Sequence, residues 1–473
     1  MALPTDLLLA LDAGPTQLVA VAFTRDGCEL ARAALPHPVT RHEDGTAEHD
    51  LGESWQRSAA VLRQLGQQLP GLARRTAALA ITGPAGGCWL VDEDGDPVAP
   101  ALLPLDRRAA PVVARWQAGG LAGKVARTSG HAVTPASQSA QLAWLREHRP
   151  AVLDRAASVF CGKDWLYFAC TGERAAEATA ALGTFGDLAT GVYDLLLLEQ
   201  LGLADTARLL PPIVDGSRQH GELAQAPAAA TGLLAGTPVV AAPVDAIARG
   251  LAAGLGAGEE VGVSDPVAGG LHLRYCRERP DPGWPERGIA VSRFAQRWLG
   301  LATQRASLDP ELLVGLAEQL LADAGLIGVP RSELAALLEA KAAAAAPGAL
   351  RCWRSGGTGA AWHLSGVCAT TTFYDLLRAT HEALAAEAMA CHGALGHRPR
   401  ELRIVGTRAA APLTIATLAA CLGSAVRPLQ RAAPAATGAA LTAALSLGLY
   451  PDLAAADAEW VEPFLGAPLA AAA

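Results

Sequence analysis

Few residues in this chain combine a reactive side chain with a position that could use it. Asp12 closes an apolar run, Leu7 to Leu11, and Gly14, Pro15 and Thr16 follow it directly. Asp245 comes after Thr237 to Ala242 and the stop at Pro243. It opens a run with Ile247, Leu251 and Leu255 at helical spacing. The next charge is Arg249. Open α/β sheets place ligands and catalytic groups at such strand-to-helix junctions. A helix N-cap is the competing reading, since Asp is favoured there. Thr82-Gly83, Asp106, Gly269-Gly270 and Gly406 stand at further strand ends or turns. Carboxylates can take a proton from a hydroxyl or hold Mg²⁺, and glycine turns bring backbone N–H groups close to an anion.

Other chemistries lack their motifs. There is no G-x-x-x-x-G-K-[ST], no G-x-S-x-G and no H-E-x-x-H. The Gly254 to Gly258 repeat ends a helical run, outside the setting of a dinucleotide fingerprint. His37, His42 and His49 are spaced for neither a metal nor a triad and are expected in loops or at the surface. Nine cysteines occur without a C-x-x-C pair, which suits buried thiols in a reducing cytosol. Net charge is -8, with both signs interspersed and no basic stripe for nucleic acid. The first residues lack a basic n-region, and no apolar run is long enough to span a membrane. The expectation is a soluble cytoplasmic protein.

The elements that must position these residues are mixed α/β. Leu7 to Leu11, Leu18 to Thr24 and Glu29 to Leu35 form an antiparallel meander with a hairpin signal at Asp26-Gly27. A helix over Ser54 to Leu69 and a strand over Leu79 to Thr82 follow. After Gly258 the theme returns. Val261 to Val263 pairs with Gly270 to Tyr275, a long helix covers Phe373 to Leu395, and a strand covers Glu401 to Val405. Helices over Thr414 to Leu422 and Gly438 to Leu447 complete it. A chain of 473 residues exceeds one compact core, so two domains are expected, 1–250 and 251–473.

The set resembles the FGGY family of carbohydrate kinases, within the superfamily of actin, heat-shock chaperone ATPases and hexokinase. The family's strand, Asp-x-Gly-Thr-[ST] and Asp-Gly turn are similar to Leu11-Asp12-Ala13-Gly14-Pro15-Thr16 and Asp26-Gly27. Its Leu-x-Trp-Leu helix resembles Leu142 to Leu145, and its Leu-Thr-Gly-Glu resembles Cys170 to Glu173 after Lys163-Asp164-Trp165. Its Gly-Leu-x-x-Gly-Thr-Pro-Val pattern resembles Gly232 to Val239, with Asp245 beyond. Its Leu-Asp-[ST]-Arg-Ala resembles Leu105 to Ala109. Thr82-Gly83 with Gly87 to Leu90, and Gly270 to Arg274, look most like the erythritol and polyol kinase branch. The resemblance runs from residue 7 to about residue 450.

It implies a ribonuclease-H-like sugar-kinase fold with an interdomain cleft, and transfer of the ATP γ-phosphoryl group to a small sugar or polyol. Asp245 would be the base and Asp12 would hold Mg²⁺. Gly14, Thr16, Gly269, Gly270 and Gly406 would meet the nucleotide, and Thr82, Trp89 and Asp106 the substrate. A homodimer is the assembly allowed for. The ligand-facing turns depart from the family pattern. Gly-Thr-Thr becomes Gly14-Pro15-Thr16, and a following Lys or Arg becomes Val19. Gly-[ST]-[ST]-Gly becomes Val267-Ala268-Gly269-Gly270, and Gly-Gly-x-x-[RK]-Ser becomes Gly406 to Ala411. The branch's Gln-Gly-Asp-Gly becomes Pro84-Ala85-Gly86-Gly87 without its carboxylate. Concentrated there, the losses raise a second expectation, a degenerate homologue that binds a sugar, nucleotide or partner without turnover.

Overall fold

The computed structural model describes residues 5–266, 270–304, 310–326, 328, 330–354, 362–396, 398–406 and 411–469. Two compact units emerge. One contains Met1–Ala252, Cys276–Gly300 and Ala433–Pro463; the other contains Ala253–Tyr275, Leu301–Ala432 and Phe464–Ala473. Where the sequence suggests one division near residue 250, the chain returns to the first unit twice.

In the first unit the elements used below are β1 (Leu7–Ala13), β2 (Gln17–Thr24), β3 (Glu29–Pro36), α1 (Leu51–Gln68) and β4 (Thr76–Thr82). After them come α2 (Gly162–Thr171), α3 (Ala178–Phe185), β5 (Gly221–Glu222), β6 (Pro238–Ala241) and α4 (Asp245–Ala252). The six strands form one sheet in the order β5-β6-β4-β1-β2-β3. β1 runs antiparallel to β2 but parallel to β4, and β4 is parallel to β6. Leu7 to Leu11 is buried throughout, as a strand covered on both faces requires. The register sets Asp12 beside Thr82 and Ala241 beside Ile81. Three parallel strands therefore end together, and Asp12, Thr82-Gly83 and the approach to Asp245 share one sheet edge.

The second unit repeats the plan with β7 (Val261–Asp265), β8 (Leu271–Cys276), α5 (Phe373–Ala394), β9 (Glu401–Ile404), α6 (Pro412–Leu422) and β10 (Ala425–Pro428). β7 is antiparallel to β8 and parallel to β9, which is parallel to β10. Ala385, Ala388, Leu402, Ile404, Leu418 and Val426 make a core between helices and sheet. Thr372 and Asp375 close a capping box at the start of α5.

The last small-residue helix, α7 (Pro434–Ser446), belongs to the first unit and packs on β1, β4 and α4. A Cβ at Gly438 would overlap the Ala248 carbonyl of α4, so this close approach requires glycine. The α2 helix has no counterpart among the elements expected from sequence. Nor does the hairpin turn at Ala295-Gln296, where both residues hold positive φ, 47° and 62°, without the usual Asn-Gly signal.

Candidate active site

Asp12 and Asp245 belong to one electrostatic site. Burial pushes the half-buried Asp12 carboxyl up to about 7, and the Asp245 carboxylate adds to the rise while Arg249 opposes it. Arg249 stands one turn along α4, its Nη2 3.8 Å from Asp245 Oδ2. Asp245 is the first residue of α4. Val244, whose carbonyl accepts the Ala248 N–H at 2.9 Å, occupies the cap position instead. A carboxylate in the first turn is favoured by the helix dipole.

The approach to Asp245 is stitched to the end of β4. The Ala242 N–H donates to Ile81 O and the Asp245 N–H to Gly83 O, both at 2.9 Å, and Thr82 Oγ1 donates to Pro243 O at 2.7 Å. A second brace comes from α2 and α3. Lys163 is buried with its Nζ 2.7 Å from Asp164 Oδ1 and 3.3 Å from Glu177 Oε2. Glu177 Oε2 accepts from Thr179 Oγ1 at 2.5 Å, and Thr179 Oγ1 accepts the Val244 N–H at 3.0 Å. A buried ion cluster thus reaches the residue before Asp245. Burial pushes Glu177 up to about 7, while the two carboxylates hold Lys163 charged. Sequence reasoning noted Lys163-Asp164 only as a family pattern. The signal it missed is a lysine inside an otherwise apolar helical stretch, which demands buried partners.

The turn after β1 is tight. A Cβ at Gly14 would stand 2.8 Å from the Gln17 carbonyl oxygen. Beneath it lie His37, in the loop after β3, and His49; against the expectation of surface histidines both are buried, with ring centroids 3.7 Å apart, while His42 is exposed in a loop as expected. His37 Nδ1 is 3.0 Å from Gly14 O, and its Nε2 is 2.9 Å from Ser54 Oγ of α1. Burial pushes His37 down, and burial together with His37 pushes His49 down to about 3. Cys88, Cys161, Cys170, Cys276 and Cys352 are buried as expected, whereas Cys28 and Cys368 are exposed.

The three residues expected at the substrate are buried. Thr82 spends its hydroxyl on Pro243, as above. Trp89 is stacked on Trp165 at 5.0 Å and meets His49 edge-on at 5.9 Å, with 4% of its surface exposed. Asp106 accepts the Ala47 N–H at 2.9 Å and pairs with Arg108 at 2.7 Å. Trp89 and Asp106 thus each make contacts within the first unit. Gly86, where the polyol branch has its carboxylate, has φ of 81°, and a Cβ there would overlap the Ala136 carbonyl. The loop is closed where that side chain would stand. A cavity of about 730 Å³ elsewhere in the first unit is lined by Glu177, Tyr193, Asp215, Arg218 and Gln296, but by neither Asp12 nor Asp245.

In the second unit, Gly270 precedes β8 with φ of 56°, and Gly406 follows β9 with φ of 98°, its Cβ position 3.4 Å from Asp265 Oδ1. Gly269 lies outside the described residues. Behind Gly270, Gln304 donates to Pro266 O at 2.6 Å and bonds His272 at 3.0 Å, and His272 bonds Ser264 at 2.9 Å. The turns at Gly14 and Gly270 are therefore each backed by a buried histidine and serine.

Residues 7–251 match the N-terminal domain of the FGGY family of carbohydrate kinases, and residues 258–447 match its C-terminal domain. The chain belongs to the FGGY family of carbohydrate kinases. Among relatives of this FGGY kinase, the erythritol kinase of Brucella abortus (strain 2308) is 36% identical over 479 residues, covering 98% of this chain and 91% of the relative. The L-xylulose/3-keto-L-gulonate kinase of Escherichia coli (strain K12) is 32% identical over 252 residues, 53% of this chain and 51% of its own. The crystal structure of xylulose kinase from Rhodospirillum rubrum superposes with a TM-score of 0.83 at 25% identity, covering 98% and 94% of the two chains. The glycerol kinase of Plasmodium falciparum with ADP shares the fold, with a TM-score of 0.82 at 15% identity and the same coverage. The FGGY kinase is thus a carbohydrate kinase, an ATP-dependent phosphotransferase of the expected two-domain α/β fold, and the degenerate alternative has no support. No helix among the described residues is long and apolar enough to cross a membrane.

Proposed function

We propose that Asp245 is the general base of a sugar or polyol kinase and that Asp12 holds Mg²⁺ at the same sheet edge. The observation that supports this is the common end of β1, β4 and β6, with Asp12 beside Thr82 and the Asp245 N–H bonded to Gly83 O at 2.9 Å. Carboxylate oxygens suit Mg²⁺, which binds through one or two carboxylates and keeps its waters. The donor set fits the metal. When bound, Mg·ATP supplies the phosphoryl group and neutralises the charge that develops on it. Asp245 takes the proton from the attacking hydroxyl, Arg249 steadies Asp245, and the N–H groups around Gly14 to Thr16 face the phosphates. Gly269, Gly270 and Gly406 are assigned to the nucleotide by family pattern alone.

The substrate class is a small sugar or sugar alcohol, and erythritol is the first compound to test. The closed loop at Gly86 supports a hydroxyl pattern different from that of the polyol branch. The cytoplasm is the setting that the absence of a spanning helix and the nucleotide requirement suit. Asp245→Asn keeps the size and loses the base. In a coupled ADP-release assay turnover should fall by about two orders of magnitude or more while the melting temperature stays nearly unchanged. An Asn variant as active as the parent would remove Asp245 from this role.

A further inference from the structure

We infer that His37 is a positioning residue for the turn Gly14–Thr16 and that it offsets what Pro15 takes away. The inference rests on the reading above that this turn faces the nucleotide phosphates. Pro15 leaves the Gly14–Pro15 peptide with an acceptor and no donor. If its carbonyl oxygen swung toward a phosphate it would repel the anion, with nothing on that peptide to attract it. His37 prevents the swing. Its Nδ1 is 3.0 Å from Gly14 O, and a carbonyl can only accept, so Nδ1 carries the proton and donates. The backbone N–H of His37 donates to Thr16 O at 2.9 Å, so the carbonyl at the far end of the turn is held on the same side. Across a trans peptide, the group on nitrogen points opposite to the carbonyl oxygen. The Gln17 N–H is thereby turned away from His37, toward the face left for an anion.

The imidazole is itself locked. Its Nε2 is 2.9 Å from Ser54 Oγ, the ring is buried, and His49 lies against it at 3.7 Å between centroids. With Nδ1 donating to Gly14 O, Nε2 pairs with Ser54 Oγ, which also donates to Asp50 O at 2.8 Å and so is itself fixed on α1. The orientation of the turn is thus set from α1, by a residue that touches neither nucleotide nor sugar.

The test is titration calorimetry with Mg·ATP on the full chain, together with melting curves. His37→Ala should weaken Mg·ATP by about tenfold, the worth of one charge-assisted contact. His37→Asn keeps an N–H where Nδ1 stood and should recover most of the loss. In a Pro15→Thr background, where the donor is restored, His37→Ala should cost clearly less, so the double-mutant cycle shows coupling. Should His37→Ala fail to fold, Ser54→Ala, which frees the ring, should show a smaller loss of the same kind. A folded His37→Ala that binds Mg·ATP within about twofold of the parent overturns the inference, as does a loss that is the same in both backgrounds. No heat from the parent chain at millimolar Mg·ATP overturns the nucleotide reading of the turn itself, and the inference with it.

Discussion

At Asp12, burial and a neighbouring carboxylate act in the same direction, and the consequence is a sign that can be measured. Its folded pKa of about 7 lies above the ordinary 3.8, so the folded chain holds this proton more tightly than the unfolded chain. Stability from this group is therefore lost as pH rises from about 4 to about 7, and the loss is complete above that. Asp12→Asn removes the penalty. Without Mg²⁺ the variant should melt about 1–3 °C above the parent at pH 8, and the gap should close toward pH 4. Adding Mg²⁺ with nucleotide should raise the melting temperature of the parent and not that of the variant. A gap independent of pH would mean that Asp12 is not in the repulsive pair. Lys163 gives the opposite case, because its charge holds two buried carboxylates in place. Lys163→Met leaves them uncompensated and should cost about 3–5 kcal/mol in denaturant unfolding.

The helix that presents Asp245 is short, and its position depends on what lies behind it. α4 is only Asp245–Ala252, and α7 packs against it at Gly438 and Ala248. An added methyl at 438 cannot be absorbed by a flexible side chain, because what it meets is backbone. Gly438→Ala should therefore push the two helices apart, at a cost of about 1–3 kcal/mol by overpacking. Turnover should fall more than Mg·ATP affinity, since the base moves while the turn after β1 does not. An alanine variant with unchanged kcat and melting temperature would show that the approach is looser than the backbone positions imply. The sequence displayed α7 as a run of small residues, and small residues are what a helix needs when it must come this close to another. Which helix it would meet was not written there.

For the whole molecule, the same helix means that the first unit is incomplete without the last stretch of chain. A chain ending at Ala432 lacks α7, which covers β1, β4 and α4. It should be insoluble or molten, and a soluble, sharply melting product that still binds Mg·ATP would contradict this. The changed nucleotide-facing turns also act at this scale. Each charge-assisted bond to phosphate contributes about 1.5–3 kcal/mol, so the donors missing at Pro15 and Ala268 should weaken Mg·ATP by about two orders of magnitude against an ordinary sugar kinase. Calorimetry on the unmodified chain checks the figure, and chelation of Mg²⁺ should abolish turnover.

The sequence by itself determined the strands and most helices of both units, because their apolar periodicity and glycine punctuation are local properties. It also determined the family and the carboxylates worth testing, since order and spacing of motifs survive along a chain. It marked Asp245 as the start of a helix but left cap and catalyst open. The structure puts Val244 at the cap, because the first helical hydrogen bond starts there. What lay beyond the sequence were pairings across distance. His37 is the loop residue the sequence suggested, but only folding brings α1 and the strands together so that its ring and that of His49 are buried under the turn after β1. The contacts of Trp89 with Trp165, and of Asp106 with Ala47 and Arg108, were likewise decided only by the tertiary structure. The charge state of Asp12 is of the same kind. Residue type makes it a carboxylate, and burial beside a second carboxylate more than two hundred residues away in sequence decides when it holds its proton.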